Sequence, residues 1–323
     1  MIRKLFKYIA ILLVLTIAAL FIWGYAGDIP AKELRAKYAN EESEFVDLGG
    51  GLTVHLRDEG PKDAPAIILL HGSNASLHTW QEWVKRLSAK YRVISYDQPG
   101  HGLTGPHPEH CYSAKCFTDV VNQVAVNRGL GKFILGGNSM GGWVSWEYAK
   151  TYPGKLNGLV LVDASGAPHA QPRDLPIGFR IMQTPVINQI STFITPRSVI
   201  EKSLHASVSK ADYIDDAEID QYWELQRYPG NRDATLERFT SYGDRDNAPV
   251  PDAVKALPSL IIWGDEDKLV PVSSAAWFQK QLPNNTVHIY KGVGHIPMQE
   301  VAGKSASDIM AWMDKLSKPT GAE

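Results

Sequence analysis

The sequence predicts an α/β protein in which helices cover both faces of a mostly parallel sheet. Short, continuously apolar segments alternate along the chain with longer segments whose apolar residues recur at helical spacing. Continuously apolar strands are typical of sheets buried on both faces, and their alternation with helices is typical of parallel order. A chain of 323 residues, 44% of them hydrophobic, is long enough to bury such a core.

Eight short segments are predicted to form strands, and the most clearly apolar of them is residues 66–70. The predicted strands are residues 45–48, 52–57, 66–70, 92–96, 132–136, 156–162, 260–263 and 286–290. The predicted helices are residues 80–90, 117–130, 140–151, 274–281 and 302–316. A run of three glycines between the first two strands predicts a hairpin there.

The first 27 residues contain a candidate membrane anchor. Residues 8–27 are all uncharged and would span about 30 Å as a helix, which matches one hydrocarbon core. Arg3, Lys4 and Lys7 precede this run and predict a cytoplasmic amino terminus. We therefore expect a single-pass anchor in the inner membrane, with the remaining chain on the extracytoplasmic side. A cleaved signal peptide is the alternative, because residues 24–26 have the spacing of a cleavage site.

The remaining chain divides into a stalk, a core in two parts and an insertion. We interpret residues 28–44 as a polar, partly helical stalk, and the alternating pattern occupies residues 45–164 and 251–318. Residues 165–250 interrupt this pattern with several prolines and short helical pieces. Structureless loops of that length are uncommon in compact domains, so we expect a helical cap over one end of the sheet.

Composition and charge exclude several kinds of partner. The 33 basic and 35 acidic residues leave a formal net charge of −2, so we expect no nucleic-acid partner. Two cysteines are too few for a disulfide-built scaffold or a cysteine-rich zinc module. We expect neither a metal nor a cofactor, since His101, His107 and His110 match no metal-site spacing.

The segment 132–142 carries the strongest chemical signal. A buried strand leads directly into Gly137-Asn138-Ser139-Met140-Gly141, and a helix begins at once. This is the G-x-S-x-G pattern in a strand–turn–helix context. The glycines let the strand and helix backbones approach closely, and the sharp turn strains the serine and exposes its hydroxyl. The pattern predicts Ser139 as a catalytic nucleophile, and a glycine-rich turn with a capping serine is the alternative.

A serine nucleophile needs a general base, and the base needs an orienting acid. His295 follows a glycine on a loop after a predicted strand, where its imidazole can lie over the sheet. Three carboxylates follow another strand, and of these we favour Asp267, with Asp265 second. Asp163, after the preceding core strand, is a further alternative. The chain order Ser139, Asp267, His295 matches the hydrolase order of serine, acid and histidine.

The oxyanion of an acyl-transfer intermediate needs hydrogen-bond donors as well. One expected donor is the backbone N–H of Met140, immediately after the nucleophile. The other is the backbone N–H of Ser73, in the loop after the strand 66–70. The side chain of Asn74 is a less favoured donor.

Five segments together resemble the α/β-hydrolase superfamily. They are residues 69–73, residues 96–102, residues 137–142, residues 263–271 and Gly294-His295, and they occur in the order of that family. The resemblance implies an α/β-hydrolase fold with an eight-stranded sheet and an inserted helical cap. It also implies that the acid is the aspartate three residues after Gly264, which is Asp267.

The resemblance narrows the expected reaction. Epoxide hydrolases and haloalkane dehalogenases of the superfamily use an aspartate nucleophile, which the serine at position 139 argues against. An anchor before this core is similar to membrane-anchored bacterial lipases and to monoacylglycerol lipases of the α/β-hydrolase-domain type. We therefore expect an esterase for lipid-like acyl esters, with residues 179–200 lining an acyl tunnel or forming only the core of the cap.

Two alternative functions follow from the same resemblance. The string Gly-Asn-Ser-Met-Gly-Gly is similar to that of C–C bond hydrolases of ring-cleavage products, although residues 74–76 replace their usual Gly-Pro-Gly. A non-catalytic binding protein with this fold is the alternative of another class, and such relatives typically lack a member of the triad.

Cys111 and Cys116 lie five residues apart. In an oxidising compartment they could form a disulfide worth roughly 2 kcal/mol. An unbroken helix through both positions would instead hold the two sulfurs too far apart to bond. The sequence leaves both possibilities open.

Overall fold

The described residues form one eight-stranded sheet with the order β1-β2-β4-β3-β5-β6-β7-β8. The structure is a computed structural model, and it describes residues 2–168, 177–241 and 250–317. The strands are β1 (Ser43–Asp47), β2 (Thr53–Glu59), β3 (Ala66–Leu70), β4 (Arg92–Tyr96), β5 (Phe133–Asn138), β6 (Leu156–Val162), β7 (Ser259–Gly264) and β8 (Asn285–Tyr290). β2 is antiparallel to both of its neighbours, and the other pairs are parallel. The structure confirms the mostly parallel sheet and the predicted hairpin.

Helices pack on both faces of this sheet. The helices are α1 (Ile2–Gly24), α2 (Ala31–Tyr38), α3 (Gln81–Leu87), α4 (Ala114–Asn127), α5 (Met140–Thr151), α6 (Ile177–Gln183), α7 (Ile187–Ile190), α8 (Arg197–Ser207), α9 (Asp216–Gln226), α10 (Asn231–Ser241), α11 (Asp252–Lys255), α12 (Ser273–Gln281), α13 (Pro297–Glu300) and α14 (Ala302–Leu316). Ile68 and Leu70 of β3 belong to an apolar cluster that includes buried residues of α4, α5 and α12, whereas Ile67 and Leu69 belong to a cluster on the other face that includes residues of α3 and α14. Both faces are buried, which is why β3 is apolar at every position.

Helices α6 to α10 lie between β6 and β7, in the region predicted to form a cap. Residues 169–176 and 242–249 of that region lie outside the described residues. The carbonyl of Ser207, at the end of α8, accepts the N–H of His295 at 2.7 Å. Arg238 of α10 donates to the hydroxyl of Ser73 at 3.0 Å. These contacts place the described helices over the loops that follow the carboxyl ends of β3 and β8.

The segment that follows α1 binds to the cap. The carbonyl of Gly24 accepts the N–H of Thr195, and the N–H of Ala26 donates to the carbonyl of Phe193, both at 3.1 Å. Helix α2 falls within the predicted stalk. The prediction of a membrane-spanning amino-terminal helix is not supported, because over the described residues no helix combines the length and the apolar character needed to cross a membrane.

Cys111 and Cys116 form a disulfide, with their Cα atoms 6.0 Å apart. Helix α4 begins only at Ala114, so Cys111 lies outside it and can reach back to Cys116. The hydroxyl of Ser113 accepts the N–H of Cys116 and caps the helix there. The helix boundary therefore decides between the two states that the sequence allows.

Candidate active site

Ser139 occupies the turn between β5 and α5. The strand ends at Asn138 and the helix begins at Met140, so a single residue makes the turn. Ser139 has φ 54° and ψ −117°, a conformation that residues other than glycine rarely adopt. Its N–H donates to the carbonyl of Val162, and its carbonyl accepts the N–H of Trp143, both at 3.1 Å. The strained backbone predicted at this position is confirmed, and hydrogen bonds to β6 and α5 hold it in place.

The glycines around Ser139 lie where a side chain has no room. A Cβ at Gly137 would lie 2.6 Å from the backbone nitrogen of Gly142. A Cβ at Gly141 would lie 2.6 Å from the carbonyl carbon of Leu70 and 2.7 Å from the carbonyl oxygen of His71. These are backbone atoms and cannot rotate away. The close approach of strand and helix that the glycine pattern predicts is therefore confirmed.

The loops after β7 and β8 bring Asp267 and His295 together. Oδ2 of Asp267 lies 2.7 Å from Nδ1 of His295, and both side chains are buried. Oδ1 of Asp267 accepts the N–H groups of Leu269 and Val270 at 2.7 and 3.0 Å, so the following turn holds the carboxylate in place. An ionised carboxylate only accepts, so Nδ1 of His295 carries the proton and Nε2 remains as a base.

Three further contacts fix the loop that carries His295. The N–H of His295 donates to the carbonyl of Ser207, which belongs to the cap, at 2.7 Å. Its carbonyl accepts Nδ2 of Asn138, the residue before the nucleophile, at 3.0 Å. The buried carboxylate of Glu300 accepts the N–H of the residue before His295 at 2.8 Å, and also the N–H and hydroxyl of Ser209 at 2.9 and 2.7 Å. The loop of His295 is thus attached both to the cap and to the strand that precedes Ser139.

The two alternative acids lie in different environments. Asp265 is exposed, and its Oδ1 accepts the N–H of Gly292 at 2.6 Å. Asp163 is fully buried, and its Oδ1 accepts the N–H of Gly264 at 2.9 Å. Burial, followed by the negative charge of Asp267, raises the pKa of Asp163 well above its usual range. Asp267 is the carboxylate that bonds the imidazole, and Asp163 is a buried neighbour of that pair.

One oxygen of Asp163, one oxygen of Asp267 and one nitrogen of His295 lie within 4.8 Å of one another. That spacing would also suit a metal ion. However, the facing atoms of Asp267 and His295 are 2.7 Å apart, the distance that a shared proton produces. We therefore interpret the cluster as a hydrogen-bonded pair, Asp267 and His295, with Asp163 as a buried neighbour.

Ser139 and His295 line one cavity of about 320 Å³ between the strand ends and the cap. Ser73 lines the same cavity, and Met140, which follows Ser139 at the start of α5, is buried. Within the described ranges, the N–H groups of Ser73 and Met140 donate to no backbone acceptor. Both are available to a negatively charged oxygen, which the partial positive charge at the start of α5 would also stabilise.

Arg238 is a buried cation beside the oxyanion loop that sequence reasoning missed. Its side chain is fully buried, and its Nη2 donates to the hydroxyl of Ser73 at 3.0 Å and to Oδ1 of Asn74 at 2.8 Å. The hydroxyl of Thr235 donates to the same Asn74 oxygen at 3.3 Å. The Asn74 side chain is therefore held by α10, while the Ser73 N–H stays available. No motif marks this arginine, because its role depends on how the cap folds back over the core.

The histidine that precedes Gly72 has a structural role. Nδ1 of His71 lies 2.7 Å from the carbonyl of Gly72, and its Nε2 accepts the N–H of Gln98 at 3.0 Å. Burial lowers the pKa of His71, so the ring is neutral and links the loops after β3 and β4.

A comparison of the sequence with models of known protein families identifies the family to which the chain belongs. A model described as the alpha/beta hydrolase family matches residues 67–306. The chain belongs to the alpha/beta hydrolase family. Curated relatives of this alpha/beta hydrolase include the 2-hydroxy-6-oxononadienedioate/2-hydroxy-6-oxononatrienedioate hydrolase of Burkholderia vietnamiensis, which is 26% identical over 291 residues, or 83% of this chain and 91% of the relative.

Lipases are also among the similar proteins. Lipase 3 of a Moraxella species is 25% identical over 288 residues, which cover 88% of each chain. Among solved structures, a bacterial membrane phospholipase A shares the fold with a TM-score of 0.73 and 22% identity, covering 98% of this chain and 99% of the other. The proteins similar to this chain therefore act on more than one class of substrate.

Proposed function

We propose that this alpha/beta hydrolase is a serine esterase that cleaves lipid-like acyl esters such as monoacylglycerols. The observation that carries the proposal is the bonding of His295 to Asp267 at the wall of a largely apolar cavity that Ser139 also lines. A hydroxyl nucleophile, an imidazole of fixed tautomer and available N–H donors are the groups that acyl transfer requires.

The first half of the reaction forms an acyl-enzyme. Nε2 of His295 takes the proton of the Ser139 hydroxyl as Oγ attacks the ester carbonyl. Asp267 stabilises the imidazolium that results and keeps its orientation. The N–H groups of Ser73 and Met140 bind the oxyanion, and each such donor lowers the barrier by about 3 kcal/mol. The imidazolium then protonates the departing alcohol as the ester C–O bond breaks.

The second half of the reaction repeats these steps with water. His295 removes a proton from water, which attacks the acyl carbon, and the same two N–H groups bind the second oxyanion. Return of the proton to Oγ of Ser139 releases the carboxylic acid. Each side chain of the triad ends in its starting protonation state.

The lining of the cavity favours an uncharged acyl chain. Helices α6 to α8 contribute apolar side chains to the wall, namely Ile181, Met182, Ile187, Ile190, Val199, Ile200 and Leu204. In the described part of the chain, Arg232 is the one arginine or lysine that lines the cavity, and it donates to the carbonyl of Ala26 and to Asp28. A substrate carboxylate would have to compete with Asp28, whereas an alkyl chain gains about 0.8 kcal/mol per buried methylene.

A C–C bond hydrolase of ring-cleavage products is the second candidate. The Burkholderia relative and a solved meta-cleavage product hydrolase, which shares the fold with a TM-score of 0.71, favour it. The same triad order would serve that reaction. The two candidates differ in their substrates, since one is an uncharged ester and the other is an anionic dienoate.

We expect a steep dependence of esterase activity on acyl length. At about 0.8 kcal/mol per buried methylene, kcat/KM should rise about fourfold per methylene from acetyl esters until the cavity is filled. The measurement is a series of acyl esters of one alcohol, compared with a 2-hydroxy-6-oxo-dienoate under the same conditions. A strong preference for acetyl esters contradicts the lipid proposal, and faster turnover of the dienoate favours the second candidate.

A matched pair of α6 variants tests where the acyl chain binds. Ile181 lines the cavity, whereas Ile177 lies one turn earlier and is exposed. Ile181→Trp should lower kcat/KM for long acyl esters more than for acetyl esters, while Ile177→Trp should leave the profile unchanged. Equal profiles for the two variants would place the acyl chain elsewhere.

We also propose that the amino-terminal segment associates the enzyme with the inner membrane, with the catalytic domain on the extracytoplasmic side. Residues 8–27 carry no charge, and Leu12 and Leu15 of α1 are exposed. The disulfide at Cys111 favours an oxidising compartment. A membrane phospholipase A shares this fold over 98% of the chain.

Fractionation of cells tests this location. The full chain should sediment with membranes, and the double variant Leu12→Lys/Leu15→Lys should move to the supernatant because two charges would enter the apolar face. Val126→Lys, at an exposed apolar position on α4, is the control and should sediment like the wild type. Wild-type protein in the supernatant would refute the proposed location.

A further inference from the structure

Two neighbouring strands deliver carboxylates to one imidazole. β6 and β7 pair in parallel, with Val162 beside Ile262, so the residues that follow them meet at the same edge of the sheet. Asp163 follows β6 directly, and Asp267 lies in the turn after β7. A carboxylate oxygen from each and a ring nitrogen of His295 lie within 4.8 Å of one another. The mechanism above uses only one of these carboxylates.

A structural role explains only one oxygen of Asp163. Oδ1 accepts the N–H of Gly264 at 2.9 Å and so holds the end of β7. Oδ2 is also buried, and no hydrogen-bond donor among the described residues lies within reach of it. An asparagine could make the Gly264 contact without burying a charge, and Asp163 also has a φ of 43°, which costs backbone strain. The second oxygen therefore calls for another explanation.

We propose that Asp163 is a positioning residue for His295. It shares one proton with Asp267, and it accepts the Nδ1–H of His295 when Asp267 is unable to accept it. This inference depends on the proposed serine-hydrolase function. Two carboxylates that share one buried site repel each other when both are ionised, which favours one negative charge and one O–H on the pair. The O–H lies on Asp163 and is donated to Asp267, which leaves Asp267 ionised toward the imidazole.

The surroundings of Asp163 support this distribution of the proton. Burial raises the pKa of Asp163, and the charges of Asp267 and Glu300 raise it further. Asp267 is instead held as an acceptor by the N–H groups of Leu269 and Val270. Among the described residues, the titratable groups that act on Asp163 are Asp267, His295, Glu300 and Tyr290, of which Glu300 and Tyr290 interact with it through charge alone.

The test is a double-mutant cycle read by the rate at which a fluorophosphonate labels Ser139. Asp267→Asn alone should slow labelling by about tenfold to a hundredfold, rather than by the roughly ten-thousandfold loss known for a triad without a second acid. Asp163→Asn alone should slow it less than tenfold, because asparagine can still accept from Gly264 and donate to Asp267. The double variant should lose at least a further hundredfold relative to Asp267→Asn.

The pH profile of Asp267→Asn separates this role from a purely structural one. In that variant Asp163 must lose its proton before it can accept the Nδ1–H of His295. The labelling rate should therefore begin to rise at a higher pH than in the wild-type enzyme. Without a substitute carboxylate, the imidazole would lose the charge that favours its protonated form, and labelling would set in at lower pH. This readout needs no Asp163 variant, so it decides the question even if Asp163→Asn fails to fold.

The exposed carboxylate of the same turn provides the control. Asp265→Asn combined with Asp267→Asn should label like Asp267→Asn alone. A double variant at 163 and 267 that labels as fast as Asp267→Asn, or an onset at lower pH in Asp267→Asn, overturns the role of Asp163 and leaves the serine-hydrolase function standing. Absence of labelling in the wild-type enzyme overturns both.

Discussion

Replacement of Ser139 by alanine should abolish ester hydrolysis and fluorophosphonate labelling. The substitution removes the only atom that forms the acyl-enzyme, and the oxyanion donors and His295 cannot replace it. Loss of the nucleophile from a triad costs about ten-thousandfold or more in kcat. The backbone at position 139 already has its strained conformation, so alanine should leave the melting temperature within about 2 °C of the wild type.

Labelling followed by peptide mapping, together with turnover of a long-chain ester, measures this effect. Ser307→Ala, an exposed serine on α14, is the matched control and should react like the wild-type enzyme. Labelling that persists in Ser139→Ala would eliminate this nucleophile. A folded wild-type enzyme that reacts with no serine-hydrolase probe would instead revive the non-catalytic binding protein.

The sheet could be predicted from the sequence because its signals are local. β3 and residues 260–263 of β7 are buried on both faces, so these segments are apolar throughout and stand out from their neighbours. The nucleophile turn is local as well, since Gly137 and Gly141 respond to backbone contacts within a few residues and with the end of β3. The strand order and the side chains that meet at its edge then follow from the parallel topology.

The acid and the oxyanion loop depend on contacts that are distant in sequence. Asp265 and Asp267 are two residues apart, and although the family resemblance favours Asp267, the physical reason that it faces His295 is the turn with Leu269 and Val270. Asp163 comes from another strand, 104 residues before Asp267, and its burial is not visible in the sequence. Arg238 reaches the oxyanion loop from the cap, 164 residues after Asn74. Pattern reasoning can nominate such residues but cannot place them.

Gly141→Ala should lower the free energy of unfolding, because the turn at Ser139 leaves no room for a side chain at position 141. The added methyl group would lie 2.6 Å from the carbonyl carbon of Leu70 and 2.7 Å from the carbonyl oxygen of His71. To relieve this contact, α5 must move away from β3. The loop that carries Ser73 follows Leu70 and His71, so its position must change as well. Overpacking against backbone costs about 3 kcal/mol or more, a large share of the 5–15 kcal/mol that holds a typical domain folded.

We therefore expect Gly141→Ala to lose most of its soluble yield, and any folded fraction to melt at least about 6 °C below the wild type and to label slowly. Gly303→Ala is the matched control, because a Cβ there meets nothing within 4 Å and the residue is exposed on α14. Since alanine favours helix over glycine, that variant should be as stable as the wild type or up to about 1 kcal/mol more stable. Equal melting temperatures for Gly141→Ala and Gly303→Ala would mean that strand and helix are packed less tightly at the nucleophile than the structure requires.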